Sequence, residues 1–355
     1  LLGGVTLTFC RGIDFIAEDI KAARPHWFPS VPRIYEKVHA KVTAMAEAKG
    51  GAALKIFNWA FSVGHAVGDL KMAKKPVPLW LGIKHRVATK LVLSKIQEAL
   101  GGRVRWCISG AAPLNSDIGR WFHAAGVLVL EGIGMTENTS FSNLNRYDNY
   151  RYGWVGPPGP GIEQKIAEDG EILFRGRNVM KGYYKMHEET AEVITEDGWL
   201  KSGDVGEVDG ENFLRITGRK KELIVTSGGK NIAPARIEGV LATSKYINQV
   251  LVIGDSRNYL TALVTLDPDS VAEYALQHGI SFVSTDDLAA NPEIVKMVEQ
   301  EVQEKNKEMA SFETVKKIRV VPEFTIENGM LTPTMKVKKK VAVDRYAGEI
   351  DALYQ

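Results

Sequence analysis

Between Lys201 and Glu238 the chain reads KSGDVGEVDGENFLRITGRKKELIVTSGGKNIAPARIE. Asp204 follows a Ser-Gly turn, Arg219 to Lys221 follow a glycine, and Gly228-Gly229 opens a second turn before a helix start at Pro234. A carboxylate at a strand edge can accept hydrogen bonds from two adjacent hydroxyls, the grip an acidic residue takes on a ribose. Arginine adds a fixed fork of donors to hydroxyl or phosphate oxygens. The combination suits a polyhydroxylated, phosphate-bearing ligand. Taken singly, Asp204 also reads as a turn or capping residue, and Arg219 to Lys221 as a solvated strand end.

Three further clusters bear on the same chemistry. In GIGMTE (132–137), Gly132 and Gly134 would let backbone approach a ligand closely. The Thr136 hydroxyl can donate to a phosphate oxygen, and Glu137 can hold Mg²⁺, a hard cation that takes carboxylate and phosphate oxygens together. A capping box at the next helix is the competing reading. Lys336 in LTPTMK (331–336) could neutralise charge on a transferring phosphoryl group, or belong to a basic tail. The seven histidines are scattered without metal-ligand spacing, and no GxSxG occurs, so neither a zinc site nor a nucleophile-elbow hydrolase is indicated.

These residues need elements to position them. Arg103 to Ile108 reads as a strand running into SGAAPL (109–114), with Asn115 or Ser116 as the next helix cap. Val127 to Leu130 is a second strand running into GIGMTE. Strand, small-residue turn, helix, strand and turn is an α/β pattern whose ligand edge lies at the carboxyl ends of the strands. Upstream, Gly4 to Phe9 reads as a short strand and Phe15 to Ala23 as a helix. A long helical region follows from Ile34 to Val67, broken at Gly50-Gly51, and Ile83 to Leu100 is one more amphipathic helix. From Val155 to Thr217, short segments separated by Asp-Gly turns indicate an antiparallel β subdomain. Beyond Arg219, strands at 222–226, 249–254, 260–266 and 317–321 with helices from Pro234 and Ile294 form a smaller α+β unit.

The 355 residues allow two domains, and Lys+Arg 45 against Asp+Glu 43 leaves only +2. That balance gives no global field for nucleic acid, although KVKKK (336–340) is locally basic. Cys10 and Cys107 read as reduced core thiols, which fits a cytosolic compartment. No apolar run approaches the ~20 residues of a membrane span. Phe57, Trp59, Phe61 and Trp80 lie near lysines, as a face packed on the sheet or as one touching a bilayer.

In this order, the blocks resemble those of the adenylate-forming enzymes, and specifically the long-chain fatty acyl-CoA synthetases. SGAAPL (109–114), GIGMTE (132–137), GEILFRGRNVMKGYY (170–184), GWLKSGD (198–204), GRKKELIVTSGGKNIAP (218–234) and LTPTMKVKK (331–339) carry the likeness across essentially the whole chain. VPRIYEK (31–37) and the helical insertion after it point to the long-chain branch. The implied fold is α/β: residues 1–218 are the later part of a large domain with its β subdomain at about 155–218, residues 219–221 a hinge, and 222–355 a small, mobile α+β domain.

The resemblance also implies roles. Gly110, Ala111 and Ala112 would line the adenine and acyl pockets, with Gly132, Ile133 and Gly134 beside the base. Thr136 would contact the α-phosphate or acyl carboxylate, and Glu137 would bind Mg²⁺. Asp204 and Arg219 would hold the ribose, and Lys221 would be the hinge. Gly228 and Gly229 would meet the pantetheine arm of coenzyme A, and Lys336 would be the lysine of adenylation. Family members commonly carry an aromatic residue where Ile133 stands and an aspartate where Gly218 stands. The implied reaction joins a long-chain fatty acid to coenzyme A through an acyl-adenylate made from ATP. Alternatives are an acyl-AMP ligase serving a carrier protein and an inactive nucleotide- or acyl-binding remnant. The family's phosphate loop would precede Leu1, so the chain alone is expected to be inactive and the complete protein an enzyme. Peripheral membrane contact and dimerisation through the large domain are further implied options, with no nucleic acid partner.

Overall fold

The structure, a computed structural model, describes residues 4–12, 15–332 and 336–355. Two units emerge, Leu1–Ser202 with Gly206–Ile216, and Gly203–Val205 with Thr217–Gln355.

The first unit opens with α1 (Ile16–Ala23), β1 (Trp27–Ser30), α2 (Pro32–Lys49) and α3 (Gly51–Met72). Gly50 and Gly51 take φ of 55° and 50°, so the break between the two helices uses backbone that glycine adopts without a Cβ penalty. Next come α4 (Leu79–Ala88), a π-helical turn (Thr89–Leu93), α5 (Ser94–Ala99), β2 (Trp106–Ser109), α6 (Ser116–Ala124), β3 (Leu128–Ile133) and β4 (Asn143–Leu144). Strands β1, β2 and β3 are parallel neighbours, and β4 returns antiparallel to β3. The register sets Ser109 opposite Glu131, so the loops after β2 and β3 leave the same edge of the sheet. The core is aromatic: Phe61 stacks on Trp121 at 4.7 Å, and Tyr35 meets Phe122 edge-on at 5.4 Å. Tyr35 keeps its hydroxyl satisfied by donating to the Ile108 carbonyl at 3.0 Å. The chain continues with β5 (Ile162–Ile166), β6 (Glu171–Gly176), α7 (His187–Val193), β7 (Leu200–Val208) and β8 (Leu214–Arg219), the strands forming one sheet in chain order, with the 203–205 stretch of β7 and the 217–219 end of β8 counted to the second unit.

The second unit holds β9 (Ile224–Val225), β10 (Asn231–Ile232), α8 (Pro234–Leu241), β11 (Ile247–Ile253), β12 (Leu260–Leu266), α9 (Pro268–Gln277), α10 (Thr285–Ala290), α11 (Pro292–Asn306), β13 (Val315–Val321), α12 (Lys339–Arg345) and α13 (Ala347–Ala352). Its main sheet pairs β11 with β12 antiparallel and β12 with β13 parallel. Alternation along β12 sends Ala262 and Val264 into a core with α8, α9, α10 and α11, and Leu263 into a core with α12 and α13. Asp267 and Asn291 each precede a proline and cap the next helix through their side chains, as Asn115 caps α6.

Several sequence expectations need correction. Residues 4–9 are exposed and form no strand, because among the described residues no neighbouring strand offers them a ladder. Cys10 is exposed rather than a core thiol, whereas Cys107 is buried and burial pushes its thiol up to about 12. The helix read as continuous over 83–100 is interrupted by the π turn. Asp204, expected after a Ser-Gly turn, sits inside the nine-residue strand β7. Among the described residues no helix is long and apolar enough to cross a membrane.

Candidate active site

The residues singled out from the sequence collect at two places, one in each unit. In the first unit, β2 delivers Gly110, Ala111 and Ala112, and β3 delivers the segment from Gly132 to Glu137. Ala111 holds a φ of 70°, a left-handed conformation that costs a residue with a Cβ on the order of 1 kcal/mol. Gly110 binds back to the Ser30 carbonyl at 3.3 Å, and Ala111 and Ala112 are exposed. The loop is thus pinned at its start and presents its small residues outward.

The glycines of the second loop face the chain itself. A Cβ at Gly134 would lie 1.6 Å from the Ser140 carbonyl oxygen, and one at Gly132 would lie 2.8 Å from Leu144 Cδ1. Tight return of the 140–144 segment therefore demands both glycines. The Asn138 side chain completes this turn by accepting from the Met135 amide at 2.9 Å and donating to Ser142 Oγ at 2.7 Å. Ile133 packs with Val155, Ile172, Phe174 and Leu214. What it can offer a base is the rim of an apolar cluster instead of an open aromatic face.

Thr136 stays exposed on a short 3₁₀ turn, Thr136–Asn138. Beside it Glu137 is half-buried and accepts from the Tyr183 hydroxyl at 2.8 Å, while its carbonyl accepts from the Met180 amide at 2.7 Å. The bond to Glu137 pushes the Tyr183 hydroxyl up from its ordinary value. Tyr183 thereby fixes one carboxylate oxygen, a partner that no spacing rule announced.

Glu131 was also missed. It is buried in β3 and accepts from the Gly153 amide at 2.9 Å and from the Leu114 backbone. Burial raises its carboxyl to about 7 against these two bonds. One side chain thus ties the SGAAPL loop and the 153 turn to the strand that carries GIGMTE. The signal was present in LVLEGI, a charge within an otherwise apolar strand.

In the second unit, Asp204 is buried and pairs with Arg219, Nε to Oδ1 at 2.9 Å. Desolvation pushes its carboxyl up, opposed first by Arg219 and, more weakly, by the charge of Lys336. Asp204, Arg219 and Lys336 therefore share one electrostatic neighbourhood. Gly218 has a local reason as well, since a Cβ there would stand 3.0 Å from Ala233 Cβ and 3.1 Å from Leu223 Cδ2. An aspartate would crowd that corner.

Lys221 is exposed in the 3₁₀ turn Lys220–Glu222 that follows β8. Gly228 and Gly229 form the exposed tip between β9 and β10, where Gly229 has φ 74° and donates to the Thr226 carbonyl at 2.8 Å. Lys336 is exposed on a loop closed by a bridge between Leu331 and Val337 and by the Thr332 amide donating to the Lys336 carbonyl at 2.8 Å. Residues 333–335 of the LTPTMKVKK block lie outside the described residues. Three residues beyond Lys336, Lys339 stands 3.4 Å from Glu222 and 3.6 Å from Glu238. Its ammonium, held between these two carboxylates, ties the segment after that loop to the 3₁₀ turn.

Residues 1–184 match the family model described as AMP-binding enzyme, and residues 221–355 match that of the AMP-binding enzyme C-terminal domain. The chain belongs to the AMP-binding enzyme family. It is 38% identical over 353 residues to "Long-chain-fatty-acid--CoA ligase FadD15" of Mycobacterium bovis, covering 99% of this chain and 58% of that protein. It is 35% identical over 373 residues to the peroxisomal "Long chain acyl-CoA synthetase 6" of Arabidopsis thaliana, covering 52% of it. Among solved structures, the A-PCP didomain of carboxylic acid reductase from Segniliparus rugosus, in complex with AMP, superposes with a TM-score of 0.68 at 26% identity, over 96% of this chain and 43% of that one. The chain thus spans between half and two thirds of the length of these curated relatives. The fold of this AMP-binding enzyme chain is α/β in the larger part, with a separate smaller α+β part.

Proposed function

We propose that the complete protein joins a long-chain fatty acid to coenzyme A at the expense of ATP. The observation that carries this reading is the shared neighbourhood of Asp204, Arg219 and Lys336 in a chain of which 99% aligns with part of a protein named as a fatty-acid–CoA ligase. Buried Asp204 suits two vicinal hydroxyls of a ribose, and Arg219 holds its carboxylate in one orientation. Lys336 brings a compact positive charge on a loop whose two ends are tied.

A carboxylate is a poor electrophile until its oxygen carries a good leaving group. In the first step a fatty acid carboxylate oxygen attacks the α-phosphorus of ATP, the bond to pyrophosphate breaks, and the acyl-adenylate forms. In the second, the coenzyme A sulfur attacks the acyl carbonyl, the bond to AMP breaks, and the thiol proton leaves to solvent. Neither step needs a side-chain nucleophile. The protein's part is positioning and compensation of charge. In this reading Thr136 meets the α-phosphate or the acyl carboxylate, and Lys336 offsets charge that develops as pyrophosphate departs. Gly110, Ala111 and Ala112 form pocket wall with the Ile133 rim, and Lys221 is the pivot between the half-reactions. The exposed Gly228-Gly229 tip faces the pantetheine arm in the second.

Glu137 fits a magnesium ion, since a hard cation takes a single carboxylate readily when phosphate oxygens and water fill its other positions. Such an ion would neutralise phosphate charge, and Tyr183 would keep the Glu137 carboxylate from rotating.

The test is ATP–pyrophosphate exchange and acyl-CoA formation with palmitate in the complete protein. Lys336→Ala should lower exchange by about a hundredfold or more and leave thioester formation from supplied palmitoyl-adenylate within a few-fold of wild type. Equal loss of both half-reactions, or loss of neither, would remove Lys336 from the adenylation step. Acyl transfer to a carrier protein without any to coenzyme A would overturn the acceptor.

A further inference from the structure

The tip that carries Gly228 and Gly229 is braced by the turn between β11 and β12. The Val225 amide donates to Asp255 Oδ1 at 3.1 Å, and the Val225 carbonyl accepts from the Ser256 amide at 2.8 Å. Closer to the glycines, the Ser227 amide donates to the Arg257 carbonyl at 3.0 Å and the Ser227 hydroxyl to Asn258 Oδ1 at 2.6 Å. Asp255, Ser256, Arg257 and Asn258 thus each give a bond to the stalk directly before the glycines. Ser256 holds a φ of 57°, left-handed backbone that a residue with a Cβ keeps only where its surroundings impose it. Bonds inside the tip, such as that from the Gly229 amide to the Thr226 carbonyl, close it without orienting it on the body of the unit.

That turn is tied down from behind. The Arg257 guanidinium donates to Asp351 of α13 at 2.6 Å and lies 4.5 Å from the centre of the Tyr354 ring. Tyr354 is seated on both flanking strands, its hydroxyl donating to the Ile253 carbonyl at 3.1 Å and accepting from Thr261 Oγ1 at 2.9 Å. Tyr259 packs beside it, ring centres 5.1 Å apart, and donates to the Leu353 carbonyl at 2.8 Å. The Arg257–Asp351 pair is exposed, so it contributes little to stability. Its effect is geometric. A guanidinium held by a carboxylate and a ring face together restricts the backbone it grows from, and the carbonyl of that residue is the acceptor for Ser227.

We propose, on the reading that Gly228 and Gly229 meet the pantetheine arm, that Arg257 and Tyr354 are positioning residues for the thioester-forming step. Through the 255–258 turn they hold the glycine tip where the arm of coenzyme A passes. None of the contacts just described involves Asp204, Arg219 or Lys336, so the adenylate-forming step is not served by this brace. The two half-reactions therefore draw on different supports within the same unit.

In the complete protein, Arg257→Ala and Tyr354→Leu are compared with wild type in each half-reaction and by hydrogen exchange of backbone amides. Amides of residues 225–229 should exchange faster in both variants. Pyrophosphate exchange with palmitate should stay within a few-fold of wild type, whereas kcat/KM for coenzyme A with supplied palmitoyl-adenylate should fall on the order of tenfold. Arg257→Lys, which keeps a cation for Asp351 and the ring, should recover most of that loss. Gly228→Val checks the reading itself: a Cβ there has only Thr226 Oγ1 within 4 Å, at 3.9 Å, so a ligand rather than the fold would meet the added side chain. Slower thioester formation in Gly228→Val but not in Arg257→Ala or Tyr354→Leu would overturn the brace and leave the reading standing. Unchanged thioester formation in Gly228→Val would remove the reading and the proposal with it. Equal loss in both half-reactions, without recovery in Arg257→Lys, would make the two residues supports of the fold alone and overturn the proposal.

Discussion

Glu131→Gln isolates one buried carboxyl that bridges two loops of the candidate site. In the folded protein its pKa is raised from 4.5 to about 7 by burial, while the Gly153 and Leu114 amides favour the charged form. Because the folded value lies above the unfolded one, the folded state holds its proton longer. The contribution of this group is therefore full below the unfolded value and is lost as pH rises through the folded value. Between about pH 5 and about pH 8 that amounts to roughly 2.5 kcal/mol. Glutamine cannot ionise, so the variant lacks this slope. It keeps one acceptor oxygen and brings an amide nitrogen with no acceptor in place of the second oxygen, at a cost of about 1–3 kcal/mol. Wild type should lead at acid pH, and the two should be nearly level at alkaline pH. Urea unfolding followed by tryptophan fluorescence across this range gives the difference directly. A wild-type-minus-variant difference that stays flat with pH would refute the reasoning, because it would mean that Glu131 titrates alike in the folded and unfolded states.

Two other substitutions test the frame around the site. Gly134→Ala places a Cβ 1.6 Å from the Ser140 carbonyl oxygen and should cost about 3 kcal/mol or more; a melting temperature within a degree or so of wild type would show that the turn relaxes freely. Lys339→Met leaves Glu238, whose carboxyl is already pushed up by burial, without its main opposing charge. Stability should fall by about 1–2 kcal/mol, discounted for the lysine's partial exposure, and more at alkaline pH, where Glu238 must ionise. Adenylation should fall with it, and a variant that loses stability without any change in pyrophosphate exchange would disconnect Lys339 from the Lys336 loop.

The parts of the molecule legible in the sequence are those where one local signal outweighs the surroundings. Strand β12 was readable at both ends because LTALVTL carries no charge and sets aliphatic residues among the β-branched Thr261, Val264 and Thr265, and α8 because Pro234 marks a first turn. The failures come where partners decide. Residues 4–9 alternate like a strand but find nothing to pair with among the described residues. Ser202-Gly203-Asp204 carries turn-forming residues, and the flanking strands nevertheless extend it. The same holds at the candidate site. Asp204, Arg219 and Lys336 could be picked by type, but that Lys336 bears electrostatically on Asp204 across more than a hundred residues is a fact of tertiary structure. The packing demand on Gly132 and Gly134 could not be read from the sequence, because the atoms that exclude a side chain belong to a segment several residues later.

The loop bearing Lys336 begins at Met330 and Leu331, both fully buried in a core with Phe324 and Tyr346, and it closes at Val337. Both stalks are therefore fixed before any ligand arrives, and the span between them is only a few residues long. Lys336 lies next to Val337 in the bridge, so the entropy lost in fixing the lysine against a phosphate falls largely on its own side chain. Lengthening the loop by even a few flexible residues would weaken that tethering without altering a single contact. The effective concentration of the ammonium at its target is thus a property of how the loop is clamped, as much as of the lysine itself.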